Sequence, residues 1–448
     1  MTRKIINILL LTATISALSC SKELDTTPTQ SIDTKDAFKT GKDVEVALVG
    51  AYSHLGASNL YGGTMFVAAD LLANTTEISW SGTFEQLTQM KNKAILIDNS
   101  FVAGTWLSGY TAINDVNNVL NHLDVVADDK KNKVEGESKF IRGSVLFDLV
   151  RLFGKAWNDG DPGSNAGVPI ILTPTVEINA ESQVPRATVA AVYTQAIADL
   201  TDAESKLPDE NGFFADKSAA AAMLARIYLQ KGDYANAAAA ATRSIDYASA
   251  NGKFLMNPYA DAFPLTDGNT DEDVFAIQVT SSSGTNDFQT YYSADGRGDI
   301  QIEQEHLDLY EAGDARLDLF YNSGGSIYIG KFDYIYGNVH LIRLAELYLI
   351  RAEANFRLGT ANGAEPLDDI NVIRERVNLT PLGSEELSLD AILKERKLEL
   401  AFEGNALHDA KRLEQNVGLI SWNDPKLVFP IPQRELRVNA NLTQNPGY

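Results

Sequence analysis

The strongest constraint on what this chain can fold into is a repeated helical phrase. Leu224-Ala225-Arg226-Ile227-Tyr228 returns downstream as Leu344-Ala345-Glu346-Leu347-Tyr348. The second copy lies within Leu341 to Leu358, where Leu341, Leu344, Ala345, Tyr348, Ala352 and Phe356 recur at steps of three or four. That spacing predicts an amphipathic helix over 341–358, with Gly359 as its stop. Arg343 with Glu346, and Glu353 with Arg357, stand where side chains meet on a helix surface and each pair adds a few tenths of a kcal/mol. An amphipathic helix buries its stripe only against a neighbour, so a chain that reuses one is expected to stack its copies.

Residues 216–250 give the fullest copy of the unit. Leu224, Ala225, Tyr228, Ala237 and Ala241 are spaced like the signature positions of a tetratricopeptide repeat, with Gly232-Asp233-Tyr234 as the turn. The copy at 341–377 is partial: Thr360 to Pro366 interrupts it before a second helix over 367–377. Such repeats need at least about three stacked units, and apolar stripes near Asp36, Phe101 and Lys133 supply degenerate members. A further helix is expected over 187–207, closed by Pro208. The region from about 253 to 339 reads differently, with strand-like runs at 273–280 and 326–332 among Gly and Ser turns. The fold class is therefore mainly α: a tetratricopeptide-like helical-repeat superhelix with loop and short β insertions, in one domain over 36–448.

With 448 residues and 44% hydrophobic content the chain can bury a large core. Its net charge of −22 excludes nucleic acid, which needs clustered Lys and Arg, and disfavours adsorption to anionic lipid. A membrane tie is expected at the N-terminus instead. Arg3 and Lys4 precede an apolar run from Ile5 to Leu18, too short for the roughly 20 residues of a spanning helix. Residues 1–19 read as a signal peptide and Cys20, the only cysteine, as the lipidation site. Residues 20–35 are polar and Pro-containing, a tether.

Catalytic constellations are not apparent. His54, His122, His306, His340 and His408 are scattered outside any metalloprotease spacing, and no phosphate-cradling Gly loop occurs. Asp267 to Asp273 alternates oxygen ligands like a calcium loop, but Glu272 stands at the turn position that needs Gly and Gln278 replaces the closing Glu, so no metal is expected. What the loops do carry is aromatic residues. Tyr61, Trp80 and Phe84 interrupt polar stretches, and Phe288, Tyr291, Tyr292, Tyr328, Tyr334 and Tyr336 crowd the inserted region. Trp80, with Tyr291 and Tyr292, is the expected ligand platform, and Asp70, Asn74 and Arg297 are its expected polar partners. Trp157 and Trp422 are alternatives. Trp106 falls on a helical stripe and reads as core.

Ile392 to Arg412, ILKERKLELAFEGNALHDAKR, resembles the signature of SusD/RagB-like outer-membrane lipoproteins at Glu395, Arg396, Glu399, Leu400, Phe402, Glu403, Gly404, Asp409 and Arg412, with Ala406 where that family usually has Arg. The ending from Phe429 to Tyr448, the helix carrying Arg343 to Glu346 and Ala352 to Ala354, and the lipobox-like Ser16 to Cys20 are similar to it in the same order. The resemblance implies a nutrient-binding lipoprotein, not an enzyme and without cofactor, tied to the outer membrane at the cell surface. It implies an oligosaccharide ligand and a TonB-dependent SusC-like transporter as partner. Oligopeptide capture on the same scaffold, and a surface glycan hydrolase, stay open as alternatives. Glu395, Glu399 and Glu403 recur four apart, where they repel unless cations such as Arg374, Arg376 and Arg396 neutralise them.

Overall fold

The computed structural model describes residues 37–74, 76–177 and 179–448. The signal peptide, Cys20 and the tether lie outside the described residues. The chain runs through α1 (Gly41–Leu55), α2 (Thr64–Ala73), β1 (Ile78–Trp80), α3 (Glu85–Lys91), α4 (Ser100–Asn121) and α5 (Asp128–Phe153). Then come α6 (Val189–Lys206), α7 (Lys217–Lys231) and α8 (Tyr234–Ala250). Short strands and helices follow as β2 (Asp273–Ile277), α9 (Asp287–Tyr292), β3 (Ile300–Ile302), α10 (Gln304–Leu307), β4 (Phe320–Ser323), β5 (Ser326–Ile329) and β6 (Val339–Arg343). Helices resume as α11 (Leu344–Leu358), α12 (Pro366–Arg376), α13 (Leu389–Glu399), α14 (Ala406–Arg412) and α15 (Gln433–Val438). The fold is mainly helical, as the periodicity predicts.

The long helices pack as a series in which α1, α4, α5, α6, α7, α8, α11 and α12 each touch the next. The α7–α8 hairpin shows why the sequence folds so. The Asp216 side chain accepts the Ala219 N–H to start α7, Gly232 at φ 71° ends it, and Asp233 caps α8 in turn. Ala219 to Ala222 of α7 and Ala237, Ala238, Ala240 and Ala241 of α8 are all buried. Such small side chains let the two backbones approach closely.

The two copies of the repeated phrase meet through their third position, Arg226 in one and Glu346 in the other. Arg226 donates from Nε to Glu346 Oε1 at 2.9 Å and from Nη2 to the Leu341 carbonyl at 2.7 Å, all buried. This corrects the expectation for 341–358, because residues 339–343 are strand β6 and the helix begins at Leu344. β6 pairs antiparallel with β2, and Arg343 turns away from Glu346 to bind Glu272, Glu399 and Glu403. The Glu353–Arg357 pair forms as expected, at 2.9 Å.

The acidic triplet is also rearranged. Helix α13 stops at Glu399 and Phe402 adopts φ 66°, so Glu403 leaves the helical spacing. Arg316 and Arg374 hold Glu395, Arg376 and Arg343 hold Glu399, and Arg343 and Lys331 hold Glu403. Arg396 pairs with Asp409 instead. Trp106 lies in the core, edge-on to Phe153. Three side chains of the calcium-like loop are engaged within the protein: Asp267 accepts the Tyr334 hydroxyl, Asn269 the amides of Gln278 and Asn338, and Asp273 the Thr270 N–H.

Candidate functional site

A four-stranded antiparallel sheet, in the order β1-β3-β5-β4, brings the loop aromatics together. Its register sets Trp80 opposite Ile300, and the Ser81 N–H continues the ladder to the Asp299 carbonyl at 2.8 Å. The residues following Trp80 are thereby laid against those preceding Ile300. Gly82 lies flat on the indole: a Cβ there would sit 2.3 Å from Trp80 Cζ2, so any side chain would displace the ring. The Trp80 Nε1–H donates to Thr88 Oγ1 at 2.9 Å, which fixes the ring from its other end.

Around this ring the sheet and α9 assemble an aromatic surface. Tyr291 packs 6.0 Å from Trp80 and 6.3 Å from Phe84, edge-on to the latter. Phe84 is 36% exposed and carries the Arg297 guanidinium 4.6 Å from its ring centre. That guanidinium is held by Asp299, at 2.6 Å from Nε, and by Thr83. Gly298, at φ 59°, permits the turn between them and lies against Tyr328, which faces Tyr321 across the β4–β5 hairpin. Half-buried aromatic rings beside a fixed guanidinium–carboxylate pair offer both an apolar face and charged hydrogen-bonding groups.

The structure brings together three of the expected site residues, Trp80, Tyr291 and Arg297. Tyr291 is only 5% exposed, and burial pushes its hydroxyl up to about 12, so it supports the surface from beneath. The other three lie elsewhere. Tyr292 has 0% exposure and stacks among Phe288, Phe332 and Phe402, so it presents no face to a sugar. Asn74 is committed to its own loop: Oδ1 accepts the N–H groups of Glu77 and Ile78 while Nδ2 donates to the Ile78 carbonyl. Asp70 is 3% exposed and accepts the Tyr292 hydroxyl and the Gly404 N–H, each at 3.1 Å. Trp157 packs on Tyr193, with Lys231 near its ring, away from this group. Phe84, Asp299 and Tyr328 join the surface without having been singled out as site residues. For Phe84 the signal was present, an aromatic in a polar loop four residues after Trp80.

Asp70 carries a testable pH signature. Burial pushes its carboxyl up to about 7, Glu403 adds to this, and hydrogen bonds from Gly404, Tyr292 and Ala406 only partly offset it. The folded-state value lies above the unfolded one, so this group's contribution is fully present below about pH 4 and is lost as pH rises towards 7. Asp70→Asn is predicted to gain thermal stability relative to wild type between pH 4 and 7 and to hold that gain above. Parallel melting curves across pH check this; a constant difference at all pH values would contradict it.

A family model described as starch-binding and associating with the outer membrane matches residues 24–229, and a model of the SusD family matches residues 328–424. The chain is 29% identical to a SusD-like protein, P2, of Formosa agariphila, over 97% of this chain and 98% of that one. A shorter stretch is 32% identical to the starch-binding protein SusD of Bacteroides thetaiotaomicron, covering 25% of this chain and 22% of that protein. Among solved structures, a SusD superfamily protein from Bacteroides thetaiotaomicron superposes with a TM-score of 0.81 at 27% identity, over 91% of this chain and 100% of that one.

Proposed function

The chain belongs to the SusD/RagB-like family, and from that premise we propose that it captures oligosaccharides at the cell surface on the Trp80, Phe84, Tyr291 and Arg297 surface and passes them to an outer-membrane TonB-dependent transporter. The observation that carries the reading is the juxtaposition of aromatic faces with the Arg297–Asp299 pair, held in register by β1 and β3. Rings cover the apolar face of a pyranose, and the ion pair supplies a donor and an acceptor for its hydroxyls. The starch-binding description of the matching family model supports the same ligand class. In this reading the protein binds and does not cleave. A screen of the protein lacking residues 1–20 against soluble glycans and peptides tests it: saturable glycan binding without product release is expected. Binding of peptides alone would replace this ligand class, and product release would replace the non-catalytic role.

Anchoring follows from Cys20, whose acylation would tether the mature chain. Cys20→Ala is predicted to move the protein from the membrane to the soluble fraction, and undiminished membrane retention would contradict that. A tethered binder still needs a channel, and among the described residues no helix is long and apolar enough to cross a membrane. The series of stacked helices offers an extended surface for a partner, and stable docking buries at least about 1,000 Å². Purification of the tagged protein from mild-detergent outer membranes is predicted to recover a TonB-dependent transporter in stoichiometric amount. Recovery of the protein alone, under conditions that preserve a known transporter complex, would point to a free-standing binder.

A further inference from the structure

Beside Glu77 and Ile78 opens a cleft of about 480 Å³, lined by the loop after α2, by α13, by α14 and by the chain that follows α14. None of Trp80, Phe84, Tyr291 or Arg297 borders it. Its walls carry Leu393, Ala406, Ala410 and Leu413, each at least partly exposed. Most of its charged groups are neutralised within the protein: Asp409 by Arg396 and Arg412, at 2.8 and 2.7 Å, and Glu77 by Lys397 and His306. A concave surface of this size, apolar and without a dominant charge, fits an aliphatic occupant.

The rim of the same cleft carries a group of that kind. Val417 and Ile420 exchange both backbone hydrogen bonds, at 2.9 and 3.0 Å, and close a two-residue turn with Gly418 at φ 61°. Val417 and Gly418 line the cleft, and Leu419, at the tip of the turn, is wholly exposed. The turn holds this leucine in place, so seating it in a partner costs little ordering. Knob and cleft thus stand side by side on one chain. A two-fold axis between them sets each Leu419 over the cleft of a second copy, satisfies both knobs at once and closes the assembly at two. Charge follows the same symmetry. Asp390 and Lys394, both exposed, stand four apart on α13 and line the cleft, and among the described residues neither forms an ion pair. The axis that brings Asp390 of one copy to Lys394 of the other also makes the reverse contact, as an isologous interface requires. A net charge of −22 on each copy opposes association. At physiological ionic strength charges more than about 8 Å apart are largely screened, so the contacting surfaces decide.

We propose that this face is an interface between two copies of the chain, each seating Leu419 in the cleft of the other. The interface stands apart from the aromatic surface, and its test is independent of the glycan reading. The full chain in detergent, sedimented over a range of protein concentrations, is expected to reach the mass of two copies. Leu419→Asp puts a charge on the knob and Ala406→Arg fills the cleft; each is expected to raise the dimer's Kd by at least about tenfold. Phe213→Asp alters a residue that is 60% exposed and does not line the cleft, and should leave the dimer unchanged. Melting curves verify that the variants are folded. A second measurement reads the contact itself. Leu419→Cys and Ala406→Cys chains carrying different tags are mixed and oxidised, and a disulfide joining the two tags is expected, with none in a mixture of tagged wild-type chains. The proposal falls if the wild type stays a single copy at every concentration, if Leu419→Asp associates as tightly as the wild type, or if no disulfide joins the two tags.

Discussion

Glu399→Ala is expected to destabilise the protein by about 3–5 kcal/mol, the range for removing one partner of a buried ion pair. Glu399 has 0% exposure and accepts from Arg376 at 2.6 Å and from Arg343 at 3.1 Å, with Arg316 at 3.8 Å. Burial alone pushes its carboxyl up, but Arg376, Arg343 and Arg316 outweigh that and hold it below the usual carboxylate range. Alanine removes the charge that Arg343 and Arg376 share and leaves both guanidinium groups buried. Glu272 still binds each of them at 2.6 Å and Glu403 binds Arg343 at 2.7 Å, yet Glu403 also serves Lys331, so two carboxylates are left to balance three buried cations. For a chain of this size the loss lowers the thermal midpoint by on the order of 5 °C. The figure measures the cost of orphaned charge, not the net worth of the network, because replacing a whole buried network by apolar groups is often neutral. By contrast, Glu45→Ala breaks only the surface pair with Lys130 and should leave the midpoint unchanged. Differential scanning calorimetry of both variants checks the contrast, and equal midpoints would contradict it.

That network also shows where sequence reading reaches and where it stops. The helices around the repeated phrase were legible because a stripe at three-to-four spacing has one dominant cause. The start of α11 was not. Leu341 and Ile342 are buried in β6 opposite a strand far upstream, and their apolar character extends the helical pattern by coincidence. No capping side chain precedes Leu344 to mark the change. Helix α2 escaped detection for the opposite reason: Thr64 to Leu72 are all buried, so no polar face alternates with an apolar one. At the site, Trp80 and Arg297 were readable as an aromatic and a cation in polar loops. Tyr292 was misassigned because its burial depends on tertiary neighbours, although Phe288 and Tyr292 stand four apart on α9, a spacing that suits a helix face packed on core. The pairing of Arg226 with Glu346 joins segments that only the folded chain brings together.

Trp80→Ala is expected to remove most of the glycan affinity. The indole is clamped by Gly82 and Thr88, so it enters the complex already ordered and loses little conformational entropy on binding. Truncating a central aromatic anchor of an interface commonly costs 2 kcal/mol or more, roughly a thirtyfold loss. Because Trp80 also packs on Tyr291, its removal alters local packing as well. Phe84→Ala is the cleaner companion, since that ring is 36% exposed and its loss opens no deep cavity. Arg297→Ala should weaken binding further by freeing Asp299 from its ion pair and withdrawing a donor. The most direct measurement is side-by-side calorimetric titration of the best soluble oligosaccharide against wild type, Trp80→Ala and Phe84→Ala, each verified as folded by its melting curve. If Trp80 and Phe84 carry the glycan, wild type binds saturably and both variants bind at least about tenfold more weakly. Equal affinity in all three proteins would contradict this and place the glycan elsewhere on the molecule.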